Sequence, residues 1–273
     1  MSRTDVRIVD LTDEHMHFVA SCTHVDKLDE ETEKVVAVRE AWLRKALAKG
    51  LRMKVAVEGG TPLGFAHCLP IELETWGMSG KDLMTVPCLT LKYDRVYREE
   101  RGSGLGRALM KSVEQEAKKS KKGVAVLAYA HDFWFMPASF FSRLRYEEVL
   151  REGDTVIMLK AFAPVEPPFM HRPQYRPSPV EGKVTVEAFW NPICATSIAE
   201  IHRVRDVCSE FGEEVILKEF NTGDKGILDT YQISRALFID GASRCWGYAA
   251  PRDELRTVIE QALEEKRRGR SRT

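Results

Sequence analysis

The 273-residue chain has no excess of either charge, since 41 lysines and arginines face 41 aspartates and glutamates. That balance gives no argument for nucleic acid, an anionic membrane or a strongly charged partner. It also lacks any apolar run approaching the roughly 18 residues of a membrane span, and its opening "MSRTDVRIVD" is charged where a signal peptide would turn apolar. A cytoplasmic protein is the expectation. The six cysteines (Cys22, Cys68, Cys88, Cys194, Cys208 and Cys245) lack the dense even spacing of a disulfide framework. None pairs as CxxC, so no structural metal site is expected either.

What is present is a globular composition, 44% hydrophobic, enough for buried cores. Six of the twelve prolines fall in "APVEPPFMHRPQYRPSPVEG", residues 163–182, which carries neither a helical nor a strand period. Proline at this density reads as a semi-rigid connector, dividing the chain into domains of residues 1–162 and 183–273. The basic end "EEKRRGRSRT" reads as a frayed, solvated tail.

The first segment predicts mixed α/β structure. "DVRIVDL" is a strand, "EETEKVVAVREAWLRKALAKG" an amphipathic helix stopped by Gly50, and "LRMKVAVE" with "PLGFAHCLPIE" a hairpin about Gly59-Gly60. A longer β run, "PCLTLKYDRV", leads to "REERGSGLGRALM" and a helix over about 104–121. The strand "GVAVLAYA", a short helix at "PASFFSRL" and the strands "YEEVLRE" and "DTVIMLKAF" complete it. The second segment predicts βαβ and then ββα: "KVTVEAFW", "TSIAEIHRVRDVCSEFG", "EVILKEFN", a hairpin "ALFIDGASRCWGY" about Gly241, and "PRDELRTVIEQALEEK".

The glycine turn at 101–106 lacks the Gly-Lys-Ser/Thr of a nucleoside triphosphate loop, and its G-x-G-x-G spacing is not the G-x-G-x-x-G of a dinucleotide fold. What remains is Arg101-Gly102-Ser103-Gly104-Leu105-Gly106 opening a helix. Free N–H groups at a helix start, the helix dipole, and glycines that admit oxygens to the main chain make an anion site, with Arg101 and Arg107 adding charge. A tight turn plus an ordinary cap is the bland alternative. Leu105, Leu109, Val113 and Ala117 on one helix face anchor the turn to a core.

This stretch resembles the signature of the GNAT N-acetyltransferases, [Q/R]-x-x-G-x-[G/A] between a strand and a helix. The resemblance implies a GNAT mixed sheet with flanking helices over residues 5–162, acetyl-coenzyme A as donor, and a pyrophosphate on the backbone of residues 101–107. It places Val96 at the strand end that meets the pantetheine arm, with an unpaired backbone N–H nearby as oxyanion donor, and an amine as acceptor. With a strand period of two, Asp94 shares a face with Val96, Lys92 and Thr90 and is the first candidate for base or amine anchor, against a plain solvated acid. His131 and Asp132 are a second pair. For the acid that protonates the leaving thiolate, the family's tyrosine position is held by Phe141, leaving Ser142, a water or Tyr146. Phe140 and Phe141 read as core or as packing against the pantetheine arm.

In the second domain, "VTVEAFWNPICATS" resembles a thioredoxin-like active site with Asn191-Pro192-Ile193-Cys194 where that family has CxxC. Together with "RALFIDG" it is similar to the YoaP-like domain found behind some acetyltransferases. Asn191 in place of the attacking cysteine excludes dithiol exchange by the usual route. Two roles stay open for the whole: an enzyme acetylating a small amine or a protein amino group, or a non-catalytic acyl-coenzyme A sensor with a thioredoxin-like docking or dimerisation module.

Overall fold

A computed structural model of the chain describes residues 6–22, 29–92, 104–132 and 135–270. They form two compact units, Met1–His171 and Arg172–Thr273.

The first unit opens with β1 (Val6–Asp10), α1 (Asp13–Ser21) and α2 (Glu30–Ala48). Asp29 caps α2 by accepting the Thr32 N–H at 2.9 Å, acids fill the first turn, and Gly50 ends it at φ +116°. The short helix α1 is absent from the sequence reading, because Thr12 supplies no side-chain cap and nine residues give too short an apolar stripe. β2 (Arg52–Glu58) and β3 (Thr61–Pro70) form the expected hairpin, Gly59 and Gly60 both taking positive φ as the two-residue turn requires.

After the two-residue β4 (Met78–Ser79) comes β5 (Leu83–Val86), which the sequence reading does not contain, and within the strand expected over residues 87–96 the described part is β6 (Leu89–Leu91). Pro87 interrupts the ladder, having no N–H to give it. α3 (Leu105–Ala117), β7 (Gly123–Tyr129), α4 (Ala138–Arg143), β8 (Glu147–Glu152) and β9 (Thr155–Ala161) follow. The sheet runs β1-β2-β3-β5-β7-β9-β8, with β6 beside β3. β5 and β7 are parallel, and the other described pairs are antiparallel. Strand alternation sends Met53, Val55 and Phe65 to a core under α1 and α2, and Ala66, Cys68 and Val126 to a core under α3, where Leu105, Leu109 and Val113 pack. A fully buried leucine such as Leu109 contributes about 2 kcal/mol.

The proline-rich segment does not stand apart as a connector. β10 (Phe169–Met170) pairs with β4, and Ser79 Oγ lies 2.7 Å from His171 Nε2. From Arg172 onward the segment belongs to the second unit. Tyr175 packs its ring among Phe189, Phe220, Tyr231 and Phe238, and Ser178 and the Tyr175 hydroxyl donate to Glu187. Proline fixed the extended backbone, but the residues between the prolines carry apolar and hydrogen-bonding groups that dock.

That unit is β11 (Val184–Trp190), α5 (Ala195–Glu210), β12 (Val215–Asn221), α6 (Lys225–Tyr231), β13 (Ala236–Ile239), β14 (Ala242–Arg244) and α7 (Arg252–Arg270). Its sheet order is β12-β11-β13-β14, with β11 and β12 parallel about α5. α5 and α7 cover Val184, Val186 and Ala188, and the aromatic cluster fills the opposite face. The basic end is a helix to Arg270, not a frayed tail, because Lys266 reaches Asp240 and the Val180 carbonyl while Arg267 reaches Glu214.

Candidate functional site

Two features of the first unit meet near the start of α3. The first is the helix start itself. Gly104 sits at φ +77°, ψ 0°, with no capping side chain and no acid in the first turn. Among the described residues, the groups that ordinarily satisfy the N–H donors of a first turn are missing, an arrangement suited to an anion. A Cβ on Gly104 would meet nothing within 4 Å, so glycine answers a backbone demand there and the space outside is open. Gly106 has a different reason: a Cβ there would stand 3.1 Å from Phe140 Cζ, so this glycine seats the Phe140 ring on the first turn of α3. Leu105 is buried and Arg107 exposed. Val96, Arg101, Gly102 and Ser103 lie outside the described residues.

The second feature is an opening in the sheet. The parallel ladder of β5 and β7 ends at Val86↔Val126. Beyond it β6 pairs only with β3, and Leu127–Tyr129 of β7 pair only with β9 and with Pro137, so among the described residues no ladder joins β6 to β7. Gly64 draws β6 tightly to β3, since a Cβ there would lie 2.5 Å from the Thr90 carbonyl oxygen. The Lys92 N–H bonds back to Leu63 at 2.8 Å, and alternation turns the Leu89 and Leu91 N–H groups toward the opening. Met136, itself at φ 51°, bridges it: its Sδ accepts the Leu89 N–H at 3.1 Å and its carbonyl accepts the Tyr129 N–H at 3.1 Å.

The unpaired strand N–H expected near Val96 lies outside the described residues; among those described, the β5–β7 ladder ends at Val86 and the Leu89 N–H faces the opening. Neither Leu89 nor Met136 carries a side-chain signal that sequence reasoning recognises, because the donor is backbone and methionine at irregular positions reads as core.

The candidate acids and bases divide. Asp94 lies outside the described residues; Lys92 Nζ stands 5.5 Å from the centroid of the Phe18 ring on α1. Asp132 accepts from Ser139 Oγ at 2.5 Å, and His131 stacks on Tyr129. Ser142 is exposed and donates to the Ala138 carbonyl at 3.1 Å. Tyr146 is 3% exposed in the core, and burial followed by the Glu114 carboxylate raises its pKa. Of the two readings for Phe141, core or packing on the pantetheine arm, its full burial against Phe140 and Tyr146 favours the core, and Phe140 is the ring beside the glycine turn. A buried pair that the sequence reading missed lies under α2. Arg39 donates to the carbonyls of Val19 and Ala20 and stands 3.4 Å from His67 Nε2, and burial followed by the Arg39 charge holds His67 well below its usual pKa.

Among the described residues no group of His, Cys, Asp or Glu forms a metal cluster, and no helix is long and apolar enough to cross a membrane.

None of the curated protein sequences matches the chain. Several solved structures resemble it at low identity. The PaiA N-acetyltransferase of Thermoplasma acidophilum in complex with coenzyme A is 13% identical, with 57% of this chain and 99% of that one covered at a TM-score of 0.42. The ribosomal-protein-S18-alanine N-acetyltransferase of Escherichia coli is 15% identical, with coverage of 59% and 97% and a TM-score of 0.41. A GNAT family acetyltransferase of Brucella melitensis in complex with acetyl-coenzyme A is 18% identical, with coverage of 60% and 93% and a TM-score of 0.38. Residues 15–134, which span the glycine turn and the opening in the sheet, match the acetyltransferase (GNAT) family model. That match makes residues 15–134 an acetyltransferase domain of the GNAT family, whose acetyl donor is acetyl-coenzyme A.

Proposed function

We propose that the protein transfers an acetyl group from acetyl-coenzyme A directly to the nitrogen of an amine, on a small molecule or a protein. The observation that carries this reading is the uncapped start of α3, with Gly104 in the left-handed region, beside a sheet opening that exposes strand N–H groups. The bound donor supplies an acetyl thioester. Backbone N–H groups of residues 101–107, with the side chains of Arg101 and Arg107, hold its pyrophosphate, and Val96 meets its pantetheine arm. The Leu89 N–H, exchanging Met136 Sδ for the substrate, supplies a hydrogen bond where negative charge grows on a carbonyl oxygen. Asp94 takes the proton that keeps the acceptor amine neutral. Ser142 or a water protonates the thiolate, Tyr146 being buried in the core with its pKa raised.

Titration calorimetry tests the first half of the reading. Both acetyl-coenzyme A and coenzyme A bind the parent, and Gly104→Glu loses at least tenfold in affinity by placing a carboxylate where the phosphate charge sits. Equal binding by parent and variant, or no binding by either, overturns it. Thiol release on a panel of amines then separates an enzyme from a sensor.

A second reading rests on Phe141. With a fully buried phenylalanine at the position where the family carries its tyrosine acid, the domain binds acyl-coenzyme A without turnover. Residues 183–273 are then a docking or dimerisation module. Under either reading we infer a thioredoxin-like second domain, supported by its β12-β11-β13-β14 order and by α5 starting just after Trp190 and Cys194.

A further inference from the structure

Met136 touches both sides of the sheet opening, and its backbone and side chain do so in different ways. Its carbonyl accepts the Tyr129 N–H at 3.1 Å, and the next residue, Pro137, bridges to Tyr129, so the main chain is fixed to the edge of β7 that β6 has left. Its φ of 51° is left-handed, which a residue with a side chain holds only where its surroundings impose it, and such residues gather at ligand clamps. The thioether crosses to the other side, where Sδ accepts the Leu89 N–H at 3.1 Å. That side chain is unbranched and flexible, and its sulfur is a weak acceptor. A carbonyl oxygen is a stronger one, so side-chain rotation alone lets a carbonyl take this N–H.

Met136 is also buried, at 5% exposure. It belongs to the core cluster that holds Leu105 and Ala128, with Leu89, Phe135 and Phe140 packed against it. Phe140 rests on Gly106 at the start of α3, which ties this cluster to the glycine turn. Interiors are close-packed, so a group that reaches the Leu89 N–H has little volume to enter beyond what the Met136 side chain gives up. Beyond Cβ, a methionine side chain matches an acetyl group in heavy atoms. A butyryl group exceeds it.

Resting on the acetyl-coenzyme A reading above, we propose that Met136 selects the acyl group of the donor. The thioester carbonyl and the thioether compete for the Leu89 N–H, and the acyl chain occupies the volume that the thioether leaves. An acetyl group completes this exchange, taking the hydrogen bond and filling the space. A longer chain has no room in the close-packed cluster. Coenzyme A itself brings no acyl carbonyl and leaves Met136 on Leu89.

Titration calorimetry on the full chain with coenzyme A, acetyl-coenzyme A and butyryl-coenzyme A separates the two effects. The parent should prefer acetyl- to butyryl-coenzyme A by roughly tenfold or more. Met136→Leu keeps the volume and removes the acceptor. Acetyl-coenzyme A should then bind roughly threefold to tenfold tighter, with coenzyme A changed less than about twofold and the preference for acetyl kept. Met136→Ala empties the volume, and butyryl-coenzyme A should come within about threefold of acetyl-coenzyme A. Far-ultraviolet circular dichroism checks that both variants fold, and the leucine swap is one that cores tolerate, so the test does not depend on the alanine variant. A parent that binds both thioesters equally, or variants that keep the parent's affinity ratios, overturns this proposal alone while coenzyme A still binds. A parent that does not bind coenzyme A overturns the acetyltransferase reading and this inference with it.

Discussion

Gly104 and Gly106 look alike in sequence and do different work. Gly104→Ala keeps an open site but forces an alanine to φ +77°, which costs roughly 1–2 kcal/mol. Gly106→Val instead drives a side chain into the Phe140 ring, an overpacking cost of about 1–3 kcal/mol. Thermal unfolding should show Phe140→Ala restoring much of the second loss and none of the first. Glu187 makes a third residue-scale case. Its carboxylate is buried, yet hydrogen bonds from Tyr175, Ser178 and Lys218 outweigh burial and lower its pKa. The stability it adds is therefore present above the unfolded carboxylate value of about 4.3 and is lost as pH falls through the lower folded value. Glu187→Gln should cost roughly 1.5–3 kcal/mol at neutral pH and flatten the acid limb of a stability-against-pH curve. An unchanged acid limb would show that the charge on Glu187 is not what matters.

At the level of elements, the separation of β6 from β7 and the docking of the proline-rich segment are both consequences of partner choice. Proline density marked 163–182 as free of helix, and the only described ladder within it is the two-residue β10 on β4. It did not reveal Tyr175, whose ring and hydroxyl are each used, one in an aromatic cluster and one on Glu187. Tyr175→Ala is expected to cost about 2 kcal/mol and to make residues 172–182 cleavable under limited proteolysis. If the cleavage rate matches the parent, the segment is held by its prolines alone. β6 was legible as a strand, whereas the break at Pro87 and the loss of its β7 partner were not, because a strand's pattern shows which face is buried and not which neighbour it hydrogen-bonds.

For the whole molecule, the acetyltransferase match falls entirely within the first unit. A fragment of residues 1–171 should accordingly bind coenzyme A within about threefold of the full chain by calorimetry. A loss of tenfold or more would make the second unit part of the donor site.

What the sequence determined by itself was local: the helix and strand periods, the glycine turn whose spacing rules out two other phosphate loops, and the absence of CxxC. Each follows from backbone sterics and side-chain periodicity within a short window. Tertiary structure alone decided that the sheet opens after Val86, that Phe141 and Tyr146 are core while Phe140 rests on Gly106, and that Arg235 joins Glu200 to the Tyr248 carbonyl. Those depend on which strands and helices meet, and contacts between residues far apart in the chain leave no periodic mark on it.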